Sequence, residues 1–172
     1  GYLMIGVQLP DGASLERTGA TLHQVAEIAM AAPGVENVVA LGGMSILDSN
    51  SSLANAAVSY VILKDWDTRL KAEGQDLRSI VLGLMEKLKV LQDGRAFVVV
   101  PPAIQGIGNA GGFQMQIEQK DGSFDYAKLY NVTQQFIERA QSDPQLQRVL
   151  TTLGPGAPHV TVAVDRARAQ TL

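Results

Sequence analysis

The stretch Leu77-Arg78-Ser79-Ile80-Val81-Leu82-Gly83-Leu84-Met85-Glu86-Lys87-Leu88 decides the fold class. Leu77, Ile80, Val81, Leu84, Met85 and Leu88 recur at i, i+3, i+4, i+7, i+8 and i+11, which is one apolar stripe of an amphipathic helix. Before it, residues 56–63 read as a strand; after it, Asp93-Gly94 turns the chain into a β-branched strand over 95–100. The same order stands earlier in the chain. Residues 2–9 are strand-like and close on Pro10-Asp11-Gly12. Ser14 is placed to cap a helix, with Glu16 in its first turn and Leu15, Thr18, Leu22, Val25, Ala26 and Ala29 at helical spacing. Ala32-Pro33-Gly34 stops that helix and residues 35–41 return as a strand. Two β-α-β units in succession predict an α+β, ferredoxin-like βαββαβ module with helices on one face of an antiparallel sheet.

A third unit follows. Phe113, Met115 and Ile117 alternate with Gln114, Gln116 and Glu118 as in a half-buried strand, and Asp121-Gly122 breaks it. Leu129, Val132, Thr133, Phe136, Ile137 and Ala140 form another amphipathic helix, ended by Asp143-Pro144 before an extended stretch at 147–153. Gly154-Pro155-Gly156-Ala157-Pro158 then leads into the alternating Val160, Val162 and Val164. The count is one complete module, a βαβ half-module and a strand stub. A half-module leaves sheet edges unpaired, so the remainder is expected elsewhere in a longer chain. A sequence that opens at Gly1 directly into a strand is read the same way.

Composition narrows the function. With 46% hydrophobic residues the 172-residue chain can build a core, and 18% charged residues leave a bland surface. A formal charge of −3 argues against nucleic-acid and anionic-membrane partners, which need a basic face. The absence of cysteine removes disulfides, thiolate catalysis and Cys-ligated metals. The longest apolar run, residues 96–104, contains Pro101 and Pro102 and falls short of the ~18 residues a spanning helix needs.

Gly106, Gly108 and Gly111 match G-x-G-x-x-G, but the strand-to-helix context of a dinucleotide site is missing, and a linker is the better reading. His23 and His159 lack partners at metal-ligand spacing. Asp65 and Asp67 flank Trp66 beside Lys64 and Arg69, which reads as a charge-paired turn anchored by a buried indole. No catalytic constellation is found, so neither enzyme activity nor a cofactor is expected. Residues 42–55 form a long Gly/Ser/Asn-rich connection carrying Met44, Ile46, Leu47 and Leu53. Soft apolar side chains on an adaptable loop suit hydrophobic ligands; the plain alternative is a merely disordered hairpin tip.

Several motifs in order resemble the resistance-nodulation-division (RND) multidrug efflux pumps of the hydrophobe/amphiphile, or acriflavine-resistance, type. These are Val7-Gln8-Leu9-Pro10-Asp11-Gly12-Ala13-Ser14-Leu15-Glu16-Arg17-Thr18, Leu63-Lys64-Asp65-Trp66-Asp67-Thr68-Arg69, and Gly94-Arg95-Ala96-Phe97 with Pro101-Pro102-Ala103-Ile104-Gln105-Gly106-Ile107-Gly108 and Gly111-Gly112-Phe113. Asp165-Arg166 with Ala167 and Ala169 adds a fourth, where Arg168 replaces the usual lysine. The resemblance implies the periplasmic part of a bacterial inner-membrane proton/drug antiporter. Such a pump works as a homotrimer with a periplasmic adaptor and an outer-membrane channel, and exports hydrophobic or amphiphilic small molecules. It implies residues 1–104 as the first porter subdomain of the pump's second half, 105–149 as the first half of the next, and 150–172 as the start of the docking domain. By position, residues 42–55 look like the switch loop between drug pockets, with Met44, Ile46 and Leu47 in it. Phe97, Val99 and Pro101 would face the drug cleft, and Gln105 and Ile107 its hinge. Met44, Ile46 and Val99 stand where aromatics are usual, which favours aliphatic or lipid-like ligands. A ferredoxin-like small-molecule-sensing module shares the βαββαβ pattern, but needs a complete second module and a polar effector pocket.

Overall fold

The computed structural model describes residues 1–47, 51–101, 115–123, 125–146, 149–151 and 153–154. Its first module follows the expected plan. β1 (Tyr2–Gln8), α1 (Leu15–Met30), β2 (Val35–Ser45), β3 (Ser51–Leu63), the one-turn α2 (Trp66–Leu70), α3 (Leu77–Leu88) and β4 (Arg95–Val99) succeed one another. The four strands pair antiparallel in the order β2-β3-β1-β4. β1 thus lies inside the sheet, between β3 and β4, as a ferredoxin-like crossover requires.

Local chemistry sets the helix ends. The Ser14 hydroxyl accepts from the Arg17 amide at 3.2 Å, and the Asp76 carboxylate accepts from the Ser79 amide at 3.0 Å. α1 ends at Met30 with Ala31 as its cap, and Gly34, at φ +81°, turns the chain into β2 in a left-handed conformation that favours glycine. Helices α1 and α3 bury Leu22, Val25, Ala29, Ile80, Leu84 and Leu88 against Leu3, Ile5, Val7, Val61 and Val98 of the sheet. Leu15, expected on the apolar stripe, is exposed, with one methyl beside Gly42 and Gly43 of β2.

Three other expectations change. The 42–55 connection is mostly strand, because β2 runs to Ser45 and β3 starts at Ser51. Met44 pairs with Ser52 and Ser45 with Ser51 across a bulge between Gly42 and Met44, where Gly43 takes φ +81°. Residue-type preference predicts a loop in this Gly/Ser-rich stretch, whereas cross-strand pairing with a bulge overrides it. Trp66 is not a buried anchor but 59% exposed, while Arg69 is 4% exposed. Arg69 Nε donates to the Lys64 carbonyl at 2.9 Å and Nη1 to the Gln75 carbonyl at 3.2 Å, with the indole 5.2 Å away on its outer side. The guanidinium is the anchor because its donors satisfy carbonyls that would otherwise be left unpaired. Finally, residues 115–120 are not a strand. Alternation creates a two-faced segment, but a strand also needs a neighbour for its backbone groups.

Helix α4 (Tyr126–Gln141) is capped by Asp125, whose carboxylate accepts from the Lys128 amide at 2.9 Å. It buries Thr133, Ile137 and Ala140, none of which joins the core beneath the sheet. Among the described residues no helix is long and apolar enough to cross a membrane.

Candidate functional site

Strand register decides which side chains share a face. Leu3, Ile5 and Val7 pair with Val61, Ser59 and Ala57 of β3; Ile5 and Val7 also pair with Val98 and Ala96 of β4. These face the helices. One residue out of phase, Met4 and Gly6 lie between Tyr60 and Val58 on one side and Val99 and Phe97 on the other, pointing away from the helices. β2 extends this second face with Val39 opposite Tyr60 and Leu41 opposite Val58, and Tyr2 stands opposite Ile62.

The helix-free face is apolar throughout its middle. Tyr2, Val39 and Leu41 are 41%, 45% and 39% exposed, while Met4 and Val58 are buried. The Phe97 ring lies across Gly6: a Cβ on that glycine would stand 2.9 Å from Phe97 Cε1 and run into Cζ, so only glycine lets the ring settle on β1. The Tyr2 and Tyr60 rings sit 6.3 Å apart at 44° and, with Gly1 and Ile62, line a shallow depression of about 420 Å³. Polar side chains on this face include Gln8, which pairs with Arg95, and Asn37 opposite Ile62. An apolar surface of this kind binds by removing hydrocarbon from water at about 25 cal/mol per Å².

Phe97 and Val99 therefore share one surface, and Pro101 is half-buried just beyond the end of their strand. Met44, Ile46 and Leu47 do not join it. They are half-buried at the far end of the β2–β3 hairpin, where Met44 pairs with Ser52. The Phe97 row crosses β3 at Val58, six residues further on, about 20 Å at roughly 3.3 Å per residue. The hairpin is tied to its own module: Thr18 Oγ1 donates to the Ala54 carbonyl at 2.7 Å, and a Leu15 methyl stands 3.4 Å from the Cβ position of Gly43. Gln105, Ile107, Gly106, Gly108, Gly111, Phe113, His159, Val160, Val162 and Val164 lie outside the described residues.

Residue spacing alone did not single out Tyr2, Met4, Val39, Leu41, Tyr60 or Ile62. A signal was present: Leu3-Met4-Ile5 and Ala56-Ala57-Val58 are consecutively apolar, the pattern of strands covered on both faces. The two carboxylates with a shifted titration lie elsewhere. The Ser123 hydroxyl and amide, donating at 2.7 and 3.0 Å, hold the Asp121 carboxyl at about 2, with Lys128 Nζ 3.3 Å away. The Ser79 donors lower Asp76 in the same way. Both are caps or turn supports. His23 is exposed, and no group of three or more His, Cys, Asp or Glu could hold a metal among the described residues.

Comparison with known proteins agrees with the motifs. The whole chain, residues 1–172, matches the family described as AcrB/AcrD/AcrF. It is 29% identical over 174 residues to the toluene efflux pump membrane transporter TtgE of Pseudomonas putida. It is 30% identical to the solvent-resistant pump membrane transporter SrpB of Pseudomonas putida, and 26% identical over 175 residues to the multidrug resistance protein MdtF of Escherichia coli. Each alignment takes in all of this chain and 16% of the relative, so the chain spans about a sixth of these proteins' length. Motifs, strand order and full-length match converge on one conclusion: the chain belongs to the AcrB/AcrD/AcrF family, the acriflavine-resistance type of RND efflux protein.

Proposed function

We propose that this chain is a periplasmic substrate-handling segment of a proton-driven RND pump that exports hydrophobic or amphiphilic compounds. The observation that carries the proposal is the helix-free sheet face: Phe97 and Val99 lie beside Met4, Gly6 and Tyr60 on a surface without charge at its centre. Family membership supports reading such a surface as a place for cargo. The toluene and solvent pumps among its relatives make aliphatic or small aromatic cargo the natural reading, and the lack of aromatic residues at Met44, Ile46 and Val99 points the same way.

In this reading residues 1–104 form one porter subdomain, 105–149 begin a second, and 150–172 enter a docking domain. The core boundary supports the division, because α4 buries its residues outside the cluster shared by α1, α3 and the sheet. The intact pump would be a homotrimer in the inner membrane, joined to a periplasmic adaptor and an outer-membrane channel. Met44, Ile46 and Leu47, on the hairpin end, would form a second contact region separated from the Phe97 face. Pro101, Gln105 and Ile107 would line the path between the two subdomains.

The test is made in the full-length pump. Phe97→Ala with Val99→Ala should lower resistance to toluene-like solvents while membrane abundance stays unchanged. Met44→Ala with Ile46→Ala should alter the pattern across compounds of different size. Unchanged resistance to every compound by both double variants, at normal abundance, removes the proposal.

A further inference from the structure

The turn after β1 makes a contact that neither its motif nor the apolar face explains. Asn55 Nδ2 donates to the Leu9 carbonyl at 3.2 Å and to Asp11 Oδ1 at 3.4 Å, and the Leu9 amide donates to the Asn55 carbonyl at 2.8 Å. Asp11 is thereby fastened to the start of the β1-paired part of β3, at the root of the β2–β3 hairpin. Its other oxygen points at Gly154. A Cβ on Gly154 would run into Asp11 Oδ2 and stand 2.7 Å from its Cγ. No other residue type fits there while the carboxylate keeps this position.

Gly154 is in turn tied to α4. Gln141 Nε2, in the last turn of α4, donates to the Val149 carbonyl at 3.4 Å, and the Leu153 amide donates to Thr151 Oγ1 at 3.1 Å. A path thus runs from α4 through residues 149–151, the Thr151–Leu153 hydrogen bond, Gly154 and Asp11 to Asn55 and the hairpin root. It connects two parts of the chain that have separate buried residues. A path of one close backbone seat and a few hydrogen bonds is weak enough to open and specific enough to define a closed position.

We propose that Asp11 and Gly154 form a clasp that couples α4 to the root of the β2–β3 hairpin. The side-chain carboxylate is one half, the bare backbone of the glycine the other. When the clasp is closed, Asn55 holds Asp11 toward Gly154; when α4 draws away, Asp11 and the Leu9–Asn55 pairing lose that support. The inference concerns this chain's own conformations and stands apart from the cargo reading.

The absence of cysteine makes the test clean. In the 172-residue chain, Asp11→Cys combined with Gly154→Cys should form one intramolecular disulfide under mild oxidation, identified by the linked peptides and independent of protein concentration. No link, or only links between molecules, overturns the clasp. Amide exchange reads the coupling. Asp11→Ala and Gly154→Val should each speed exchange of the Leu9 amide by roughly two- to tenfold, the span of one hydrogen bond, while β1 residues Leu3–Val7 keep their protection. A disulfide that forms with Leu9 exchange unchanged in both variants overturns the coupling and leaves mere proximity. Loss of protection at residues 3–7 marks general unfolding, and Asp11→Ala, which only removes atoms, then decides: an unaffected Leu9 in that variant also overturns it.

Discussion

The two faces of the sheet use the same chemistry to opposite ends. On one, Leu3, Ile5, Val7, Val61 and Val98 are closed off by α1 and α3 of the same chain. On the other, Tyr2, Met4, Val39, Leu41, Tyr60, Phe97 and Val99 form a comparable run of hydrocarbon with no helix over it among the described residues. A chain that needed only to be stable would place polar residues at alternate positions of β1 and β3. Here apolar residues stand on that face instead, Met4 and Val58 buried and Tyr2, Val39 and Leu41 exposed. One face holds the core of the module; the other carries the surface proposed above for cargo.

Substitutions can break or sharpen that contrast. Ile5→Ala, on the covered face, should cost about 2–5 kcal/mol in urea unfolding, since Ile5 is fully buried and the helices above it collapse only partly. Gly6→Val, one residue along and on the other face, should cost about 1–3 kcal/mol, because its side chain must displace the Phe97 ring; a shifted Phe97 environment by NMR is the accompanying sign. A neutral Gly6→Val would mean that the ring is free to leave, and that the helix-free face has no built surface at its centre.

Ser59 offers a smaller and opposite effect. It stands on the covered face opposite Ile5, and its hydroxyl is buried with no hydrogen-bond partner among the described residues. Ser59→Ala should raise stability by on the order of 1 kcal/mol, by removing an uncompensated desolvation penalty. A loss instead would place an unseen partner at that hydroxyl. Val39→Ser and Leu41→Ser, on the exposed face, should each change unfolding free energy by no more than about 0.5 kcal/mol. A cost equal to that of Ile5→Ala would erase the distinction between the faces.

The smallest effect is one of pH. Asp121 titrates at about 2 in the folded chain against an ordinary 3.8, so its folded-state value is depressed. Its contribution is complete above 3.8 and disappears as pH falls through about 2. Asp121→Asn should flatten the acid limb of stability only within that window, and leave the neutral region unchanged. Movement of the limb near pH 5 to 7 would locate the linkage elsewhere.

Much of this was legible in the residues. The stripe from Leu77 to Leu88, the Ser14 cap and the Gly34 turn each depend on a period or a backbone conformation that is local, and each is found where spacing puts it. The hairpin departs from expectation for the converse reason. Whether Gly42-Gly43-Met44-Ser45 is loop or strand depends on Ser51 and Ser52 arriving opposite it, which composition does not encode. Trp66 and Arg69 exchange roles because size suggests burial, while the decisive quantity is which side chain has carbonyls to satisfy. The candidate site divides likewise: Phe97 and Val99 share a face by the two-residue strand period, but the distance from them to Met44 is set by register.

By itself, then, the amino-acid order determined the βαββαβ succession, the lack of thiol chemistry, and the family, since these rest on periodicity, composition and motif. Only the tertiary structure decided that Met4, Tyr60 and Phe97 meet on one sheet face, that the hairpin end stands apart from the Phe97 row, and that Gly154 comes to rest on Asp11. Those are relations between residues far apart in the chain. They exist only once pairing and burial have brought the segments together.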